Sequence, residues 1–174
     1  EVISVASYID TNKVSALPVD IFSADEFKNL RVSSVAELSK YLSIASGSHF
    51  QTNALDGVDQ GMAAITLRGL DHASTLVLIN KKRQTHAGTP SNDGEGYIDV
   101  NIIPEIALEQ IEILKDGATS LYGSDAVAGV INFQTYQQFN GIRLAVGSQK
   151  TTNYGQKDNS LGSLFGGDAF GGNY

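Results

Sequence analysis

Leu108-Glu109-Gln110-Ile111-Glu112-Ile113-Leu114-Lys115-Asp116-Gly117-Ala118 is followed, with only Thr119 between, by Ser120-Leu121-Tyr122-Gly123-Ser124-Asp125-Ala126-Val127-Ala128-Gly129-Val130-Ile131-Asn132-Phe133. These two stretches decide the fold. Ile111 to Leu114 reads as a strand. Gly117 to Gly123 reads as a compact turn or short helix, and Ala128 to Gln134 as a second strand carrying Val130, Ile131 and Phe133. Upstream, Thr75 to Ile79 is continuously apolar, as a strand buried on both faces would be. Asn80-Lys81 then forms a turn and Lys82-Arg83 starts the return.

Working outward, Ala64 to Leu70 alternates Ile65 and Leu67 against Thr66 and Arg68, which predicts a half-buried strand. Leu17 to Phe22 predicts another, with Pro18 at an edge or strand start. Ser23 and Glu26 match a capping box opening a helix over 24–30, with Phe27 and Leu30 inward. Ser34 and Glu37 repeat the box, and Val35, Leu38, Tyr41 and Leu42 give a helix over 34–43 one apolar face. Pro104 opens a short helix through Ile106 and Leu108, placing Glu105 and Glu109 one turn apart. Residues 46–61 and 84–97 are polar, glycine-punctuated loops. The expected fold class is α/β (α+β), a small mixed β-sheet with short flanking helices. Past residue 136 the pattern changes. Phe139 to Val146 and Ser160 to Ala169 read as a two-strand hairpin around a polar turn at 151–159, and no internal repeat is present.

Composition narrows the function. The chain has 174 residues, 12 basic and 19 acidic, for a net charge of −7. That balance argues against a general nucleic-acid binder or electrostatic docking on anionic lipid. With no cysteine, thiol catalysis and thiolate metal sites are excluded. The longest strictly aliphatic run, Leu76 to Ile79, is far too short for a spanning helix. Glu1-Val2-Ile3 carries neither initiator Met nor leader and reads as a mature or trimmed end.

Catalytic patterns do not assemble. Gly147-Ser148-Gln149-Lys150-Thr151 lacks the first glycine of a phosphate loop, and Gly94-Glu95-Gly96 lacks the third of a dinucleotide fingerprint. His49, His72 and His86 lie in polar loops without the spacing of metal ligands. Asn53, Asp56 and Asp59 lack the order of a calcium loop, and ordinary turn chemistry accounts for them better. Glu105, Glu109 and Glu112 show no burial signal of the kind an acid–base pair needs. No enzyme, cofactor or metal centre is expected from these residues.

Between Ile65 and Phe133 the order and spacing of short blocks resembles the plug domain of TonB-dependent outer-membrane transporters. The blocks are Arg68-Gly69, Leu76 to Ile79 with its turn and Lys82-Arg83, Ile111 to Gly117, and Leu121-Tyr122-Gly123-Ser124 with Gly129-Val130-Ile131-Asn132. A weaker likeness runs from Glu1 to Tyr136. The resemblance implies a plug at 8–136, a TonB-box-like strand at 1–7 and, at 137–174, the first β-barrel hairpin or a disordered tail, in a chain that is an N-terminal piece, a truncated product or one segment of a longer receptor of a Gram-negative outer membrane. It implies TonB, the barrel in cis and an unknown small-molecule substrate as partners. Glu1, Val2, Ile3, Ser4, Val5 and Ala6 would pair with TonB as an added strand, or lie beside the true box.

By the same resemblance Arg68 and Lys115, with Glu112 nearby, are barrel-latch residues; the other reading is an ion pair within the domain. Lys115 stands where the family usually has arginine and cannot form a bidentate fork. Asn80-Lys81 replaces the family's Asp-Gly, and lysine at positive φ is costly, so a different turn is expected. The long loops would be substrate-facing apices, with Phe50, Asn53, Asp56, His86, Asn92, Tyr97 and Tyr122 exposed to ligand, although a core role suits Tyr122 equally. The alternative function is a stand-alone periplasmic binding or interaction module on the plug fold, self-associating through residues 139–147.

Overall fold

A computed structural model describes residues 19–30, 34–48, 61–91, 94–150 and 157–166. The expectations for residues 1–7, Pro18, the polar loop over 49–60 and Asn92 lie outside the described residues.

Five strands form one mixed sheet: β1 (Val19–Ser23), β2 (Thr75–Ile79), β3 (Lys82–Arg83), β4 (Leu108–Leu114) and β5 (Gly129–Thr135), in the spatial order β1-β4-β5-β2-β3. β2 and β5 run parallel, Thr75 opposite Gly129 and Ile79 opposite Phe133. The remaining pairs are antiparallel. The parallel pair needs a crossover, and residues 80–128, which include β4, supply it. On one face Val77, Ile111, Ile113, Ile131 and Phe133 pack with Phe27, Leu38 and Leu67. On the other, Leu76, Leu78, Leu114 and Val130 pack with Ala118 and Ala126. β4 and β5 therefore carry apolar side chains to both faces, as interior strands must.

The capping box at Ser23 forms from one side. Glu26 Oε2 accepts from the Ser23 backbone N–H at 2.6 Å and from the Ser23 hydroxyl at 3.0 Å. It opens α1 (Ala24–Leu30), with Phe27 buried and Leu30 against the core. At Ser34 the cap also forms, the Glu37 N–H donating to Ser34 Oγ at 3.2 Å. This cap leads into a 3₁₀ helix, Ala36–Tyr41, not the α-helix expected. Lys40 pairs with Glu37 at 3.3 Å across i, i+3, the spacing a three-residue turn brings into line. Val35, Leu38 and Leu42 are buried as expected, but the tighter winding leaves Tyr41 52% exposed.

Three further expectations are corrected. Ala64 to Leu70 is not a half-buried strand: Met62 to Leu67 is buried residue after residue. Its backbone is satisfied by hydroxyls and loop carbonyls in place of a ladder. Thr66 N–H donates to Ser48 Oγ at 3.0 Å, Leu67 N–H to Thr75 Oγ1 at 3.0 Å, and Ala63 O accepts from Val100 N–H at 2.9 Å. Glu105 and Glu109 do not share a helix, because Pro104 opens only the single 3₁₀ turn Glu105–Ala107 and Leu108 already belongs to β4. The Asn80-Lys81 turn does adopt positive φ at both residues, 50° and 66°. Two residues joining Ile79 to Lys82 require that backbone for the hairpin twist. The strain in Lys81 is offset by anchoring: Asn80 N–H donates to Phe133 O at 2.8 Å and Lys81 N–H to Asn132 Oδ1 at 2.9 Å.

Residues 84–91 and 94–97 form a loop, and Thr119–Tyr122 is a single helical turn, α2. β6 (Gly141–Lys150) and β7 (Lys157–Gly166) make a separate antiparallel sheet, Gly141 opposite Gly166 and Lys150 opposite Lys157. The first arm is longer than the sequence suggests, and the second, of the length expected, begins three residues earlier.

Candidate functional site

On the second face of the sheet the apolar stripe gives way to a polar array. Glu112 on β4 stands opposite Asn132 on β5, and both are fully buried. Glu112 accepts three side-chain amide bonds: from Gln134 at 2.8 Å and Gln110 at 3.0 Å on Oε1, and from Asn132 at 3.1 Å on Oε2. Burial raises the Glu112 carboxyl above the ordinary value, opposed by the bonds from Asn132 and Gln134, the charge of Lys81 and the bond from Gln110. Asn132 cannot reverse its amide, because its oxygen accepts the Lys81 N–H. Asn80 closes the array, donating from Nδ2 to Thr135 Oγ1 and accepting the Thr135 N–H, each at 2.9 Å. One hydrogen-bonded chain thus runs from the β2–β3 turn to the middle of β4. The sequence reading of Glu112 as unburied, or as partner of Arg68 or Lys115, does not hold. The strand period puts 110, 112, 132 and 134 on one face, but it does not tell that this face is covered at Glu112 and Asn132.

Lys115 follows the last residue of β4 and pairs with Asp20 of β1 at 2.5 Å, so the intradomain pair exists with a different acid. Both side chains are more than a third exposed, and such a pair adds little stability. Arg68 sits at φ 59° beside Gly69 at 68°. Its N–H donates to Ile44 O at 2.7 Å. Its guanidinium reaches Ala128 O at 2.9 Å and Val127 O at 3.1 Å, at the entry to β5. Among the described residues Arg68 has no carboxylate partner.

A second cluster joins the end of β3 to the turn after α2. Arg83, the last residue of β3, places Nη1 2.5 Å from Asp125 Oδ2 and donates through Nη2 to the Tyr122 carbonyl. Ser124 Oγ donates to Asp125 Oδ1 at 3.1 Å. The bond from Arg83 holds the Asp125 carboxyl below its ordinary value, aided by Ser124. The turn it grips is closed on itself: Ala118 N–H donates to Ala126 O at 2.9 Å and Gly123 N–H to Thr119 O at 2.9 Å. Gly123 takes φ 84°, a conformation suited to glycine after a helical turn. Neither Arg83 nor Asp125 was singled out by the sequence reading, since no local pattern links residues so far apart.

Of the expected apical residues, His86 is exposed and lies against Gly96, where an added Cβ would stand 2.7 Å from its Nδ1. Tyr97 turns inward, 8% exposed, among Met62, Ala64 and Ala87. Its ring meets His72 edge-on at 6.5 Å between centroids. Burial of a large ring in that small pocket overrides the apical role expected of it. Tyr122 is half-buried and packs against the second-face core, between its two readings. Glu105 and Glu109 are exposed, and no group of acidic or histidine side chains able to hold a metal occurs among the described residues.

In β6, Ile142 and Leu144 are 69% and 67% exposed on one face. Arg143 points the other way, 4.8 Å from the Tyr136 ring centre and 5.8 Å from that of Phe139.

Known proteins carry the same pattern. The model of the TonB-dependent Receptor Plug Domain family matches residues 11–130. The chain is 42% identical over 81 residues to an iron-regulated outer membrane virulence protein of Vibrio cholerae, covering 44% of this chain and 12% of that protein. It is 30% identical over 142 residues to the vitamin B12 transporter BtuB of Vibrio vulnificus, covering 74% of this chain and 22% of the relative. Among solved structures, the siderophore receptor PirA of Acinetobacter baumannii superposes with a TM-score of 0.58 at 26% identity, over 83% of this chain and 21% of that one. The chain therefore spans less than a quarter of the length of each of these three proteins.

Proposed function

The chain belongs to the TonB-dependent receptor plug-domain family, and from that membership we propose that it closes the lumen of an outer-membrane β-barrel and couples substrate uptake to TonB. The family match over residues 11–130 carries this reading. The mixed sheet supports it, with the Leu-Tyr-Gly turn held against its second face and the β2–β3 turn anchored to the far end of β5. The transported molecule is a small one; the relatives' names point to iron-regulated uptake, vitamin B12 and siderophores.

In this reading residues 1–6 are the strand that pairs with TonB. Ligand contact at the apical loops, Phe50, Asn53, Asp56, His86, Asn92 and Tyr122 among them, releases that strand. Arg68 and Lys115 face acidic groups of the barrel wall, Lys115 by exchanging its Asp20 partner. The β6–β7 hairpin is the start of the barrel, its exposed Ile142 and Leu144 suited to lipid and the inward Arg143 to the plug. The test uses the 174-residue chain and a form lacking residues 1–7, titrated with a TonB C-terminal domain. Binding by the longer form alone is expected; equal binding removes the role of residues 1–6.

The stand-alone module is favoured by one feature. β6 and β7 pair only with each other among the described residues, so each leaves an edge open for self-association. Sedimentation of the chain cut after Gln138 decides: an unchanged oligomeric state counts against association through residues 139–147.

A further inference from the structure

We propose that Arg83 is a positioning residue that fastens the root of the 84–97 loop to the Leu121–Gly123 turn, so that the two move as one ligand-facing piece. Only the word ligand-facing rests on the plug reading above; the fastening stands on geometry.

β3 is two residues long and exposed, and by itself would hold the loop weakly at its root. Arg83 lies opposite Leu78, whose side chain belongs to the second-face core, and so it projects over that face toward α2. There one guanidinium makes two attachments on a segment some forty residues away: the Asp125 carboxylate and the Tyr122 carbonyl. The carbonyl is one that a four-residue helix leaves without an intrahelical donor, and a cation at a helix C-terminus satisfies it. A planar fork can hold both acceptors at once; an ammonium is a point charge without that fixed geometry. Gly123, at φ 84°, closes the turn beside this carbonyl, and the guanidinium lies 3.7 Å from where a Cβ would stand, an ordinary contact.

The tether is not a core element. Both partners are about half exposed, so the ion pair contributes little to global stability. Its effect is local, on which pieces of surface move together. The placement of Tyr122 depends on the tether. Its ring leans on the second-face core while its own carbonyl is held by Arg83. That placement is therefore set by a residue on the opposite side of the loop cluster.

The test is residue-resolved amide hydrogen exchange on the 174-residue chain. Reporters exist on both sides: Ala87 N–H to Tyr97 O for the loop, and Tyr122 N–H to Ala118 O with Gly123 N–H to Thr119 O for the turn. Ala128 N–H to Ser74 O reports the core. Arg83→Ala is expected to speed exchange roughly tenfold at Ala87, Tyr122 and Gly123 together while Ala128 is unchanged. Asp125→Asn removes the charge from one attachment and Arg83→Lys the fork that spans both, so both give smaller increases at the same amides. Acceleration confined to one side of the tether overturns the proposal, as does acceleration that includes Ala128 to the same degree. Exchange is read without TonB or ligand, so this outcome and the outcome of the TonB titration are independent.

Discussion

Asn132→Asp isolates the buried array from everything else in the sheet. The change is nearly isosteric and leaves the Lys81 N–H its acceptor. What it removes is the Asn132 amide that donates to Glu112 Oε2 at 3.1 Å, and it sets two carboxyl groups face to face. At that distance both cannot stay ionised, so one takes up a proton and the pair shares it. Holding a carboxyl protonated at pH 7, when its ordinary value is about 4.3, costs up to about 3.7 kcal/mol at 1.36 kcal/mol per unit. Urea unfolding followed by circular dichroism should show a loss of about 3–4 kcal/mol at pH 7, shrinking by roughly 1.4 kcal/mol for each unit of acidification toward pH 5. Glu112→Gln alone should cost about 1 kcal/mol or less. Gln110 and Gln134 are only half-buried and can reverse their amides to accept from the new side chain. The double variant, Glu112→Gln with Asn132→Asp, is the decisive one. In it the new amide on β4 donates to the new carboxylate on β5, which still accepts from the Lys81 N–H. The single buried charge has moved one strand toward the Lys81 side chain. Its stability should return to within about 1–2 kcal/mol of the parent, a coupling of roughly 2–3 kcal/mol. If Asn132→Asp and the double variant are equally unstable at pH 7, the array does not have the donor–acceptor order described.

Single sites give three other outcomes. Gly129 has φ 140°, and a Cβ there would meet Leu114 O at 2.4 Å and Leu67 Cδ1 at 2.8 Å, whereas Gly141, at φ 128°, has nothing within 4 Å. Gly129→Ala should lose about 4 kcal/mol or more and Gly141→Ala about 1–3 kcal/mol; equal unfolding midpoints would show that the β4 carbonyl yields. Lys81→Gly relieves a positive φ and should add about 0.5–1 kcal/mol, read as a higher urea midpoint with unchanged slope. Carboxyl titration by carbon NMR should find Glu112 above and Asp125 below ordinary values. A raised Glu112 contributes stability that is full below its unfolded value and lost as pH rises through its folded one; a lowered Asp125 contributes stability present above its unfolded value and lost as pH falls through its folded one. The opposite order of the two titrations would contradict the environments described.

Much of the frame was legible because its signals are local. Ser23 with Glu26, the apolar run Thr75–Ile79 and the alternation of β6 each need only neighbouring residues to be read. Met62 to Leu67 misled because alternation predicts a strand only if one side faces water, and here Tyr97 and the sheet core close both sides. Asn80-Lys81 misled because the cost of lysine at positive φ is intrinsic, while its compensation comes from Asn132 and Phe133 on another strand. Glu112 was legible as a strand residue but not as a buried one, since the amides that make its burial tolerable come from two different strands. Arg83 with Asp125 had no sequence signal at all: an ion pair across forty residues exists only once β2, β5 and α2 are assembled. The candidate site was thus less legible than the fold, because its members are related by the sheet order and not by spacing.

The strand order has a consequence for how the chain is made. Val19 pairs with Leu114, so β1 leaves the ribosome long before its only partner in the sheet exists. The sheet can assemble as β4-β5-β2-β3 without it, yet even β2 must wait for Gly129 to Phe133 before its parallel neighbour arrives. Two of the pairings, β1 with β4 and β2 with β5, close long loops, and loop closure of that kind slows folding. A chain made from its N-terminus therefore carries its first strand unpaired and its apolar central strands waiting. During that interval the apolar residues of β2 and β4 stay uncovered, until the chain has extended to Thr135.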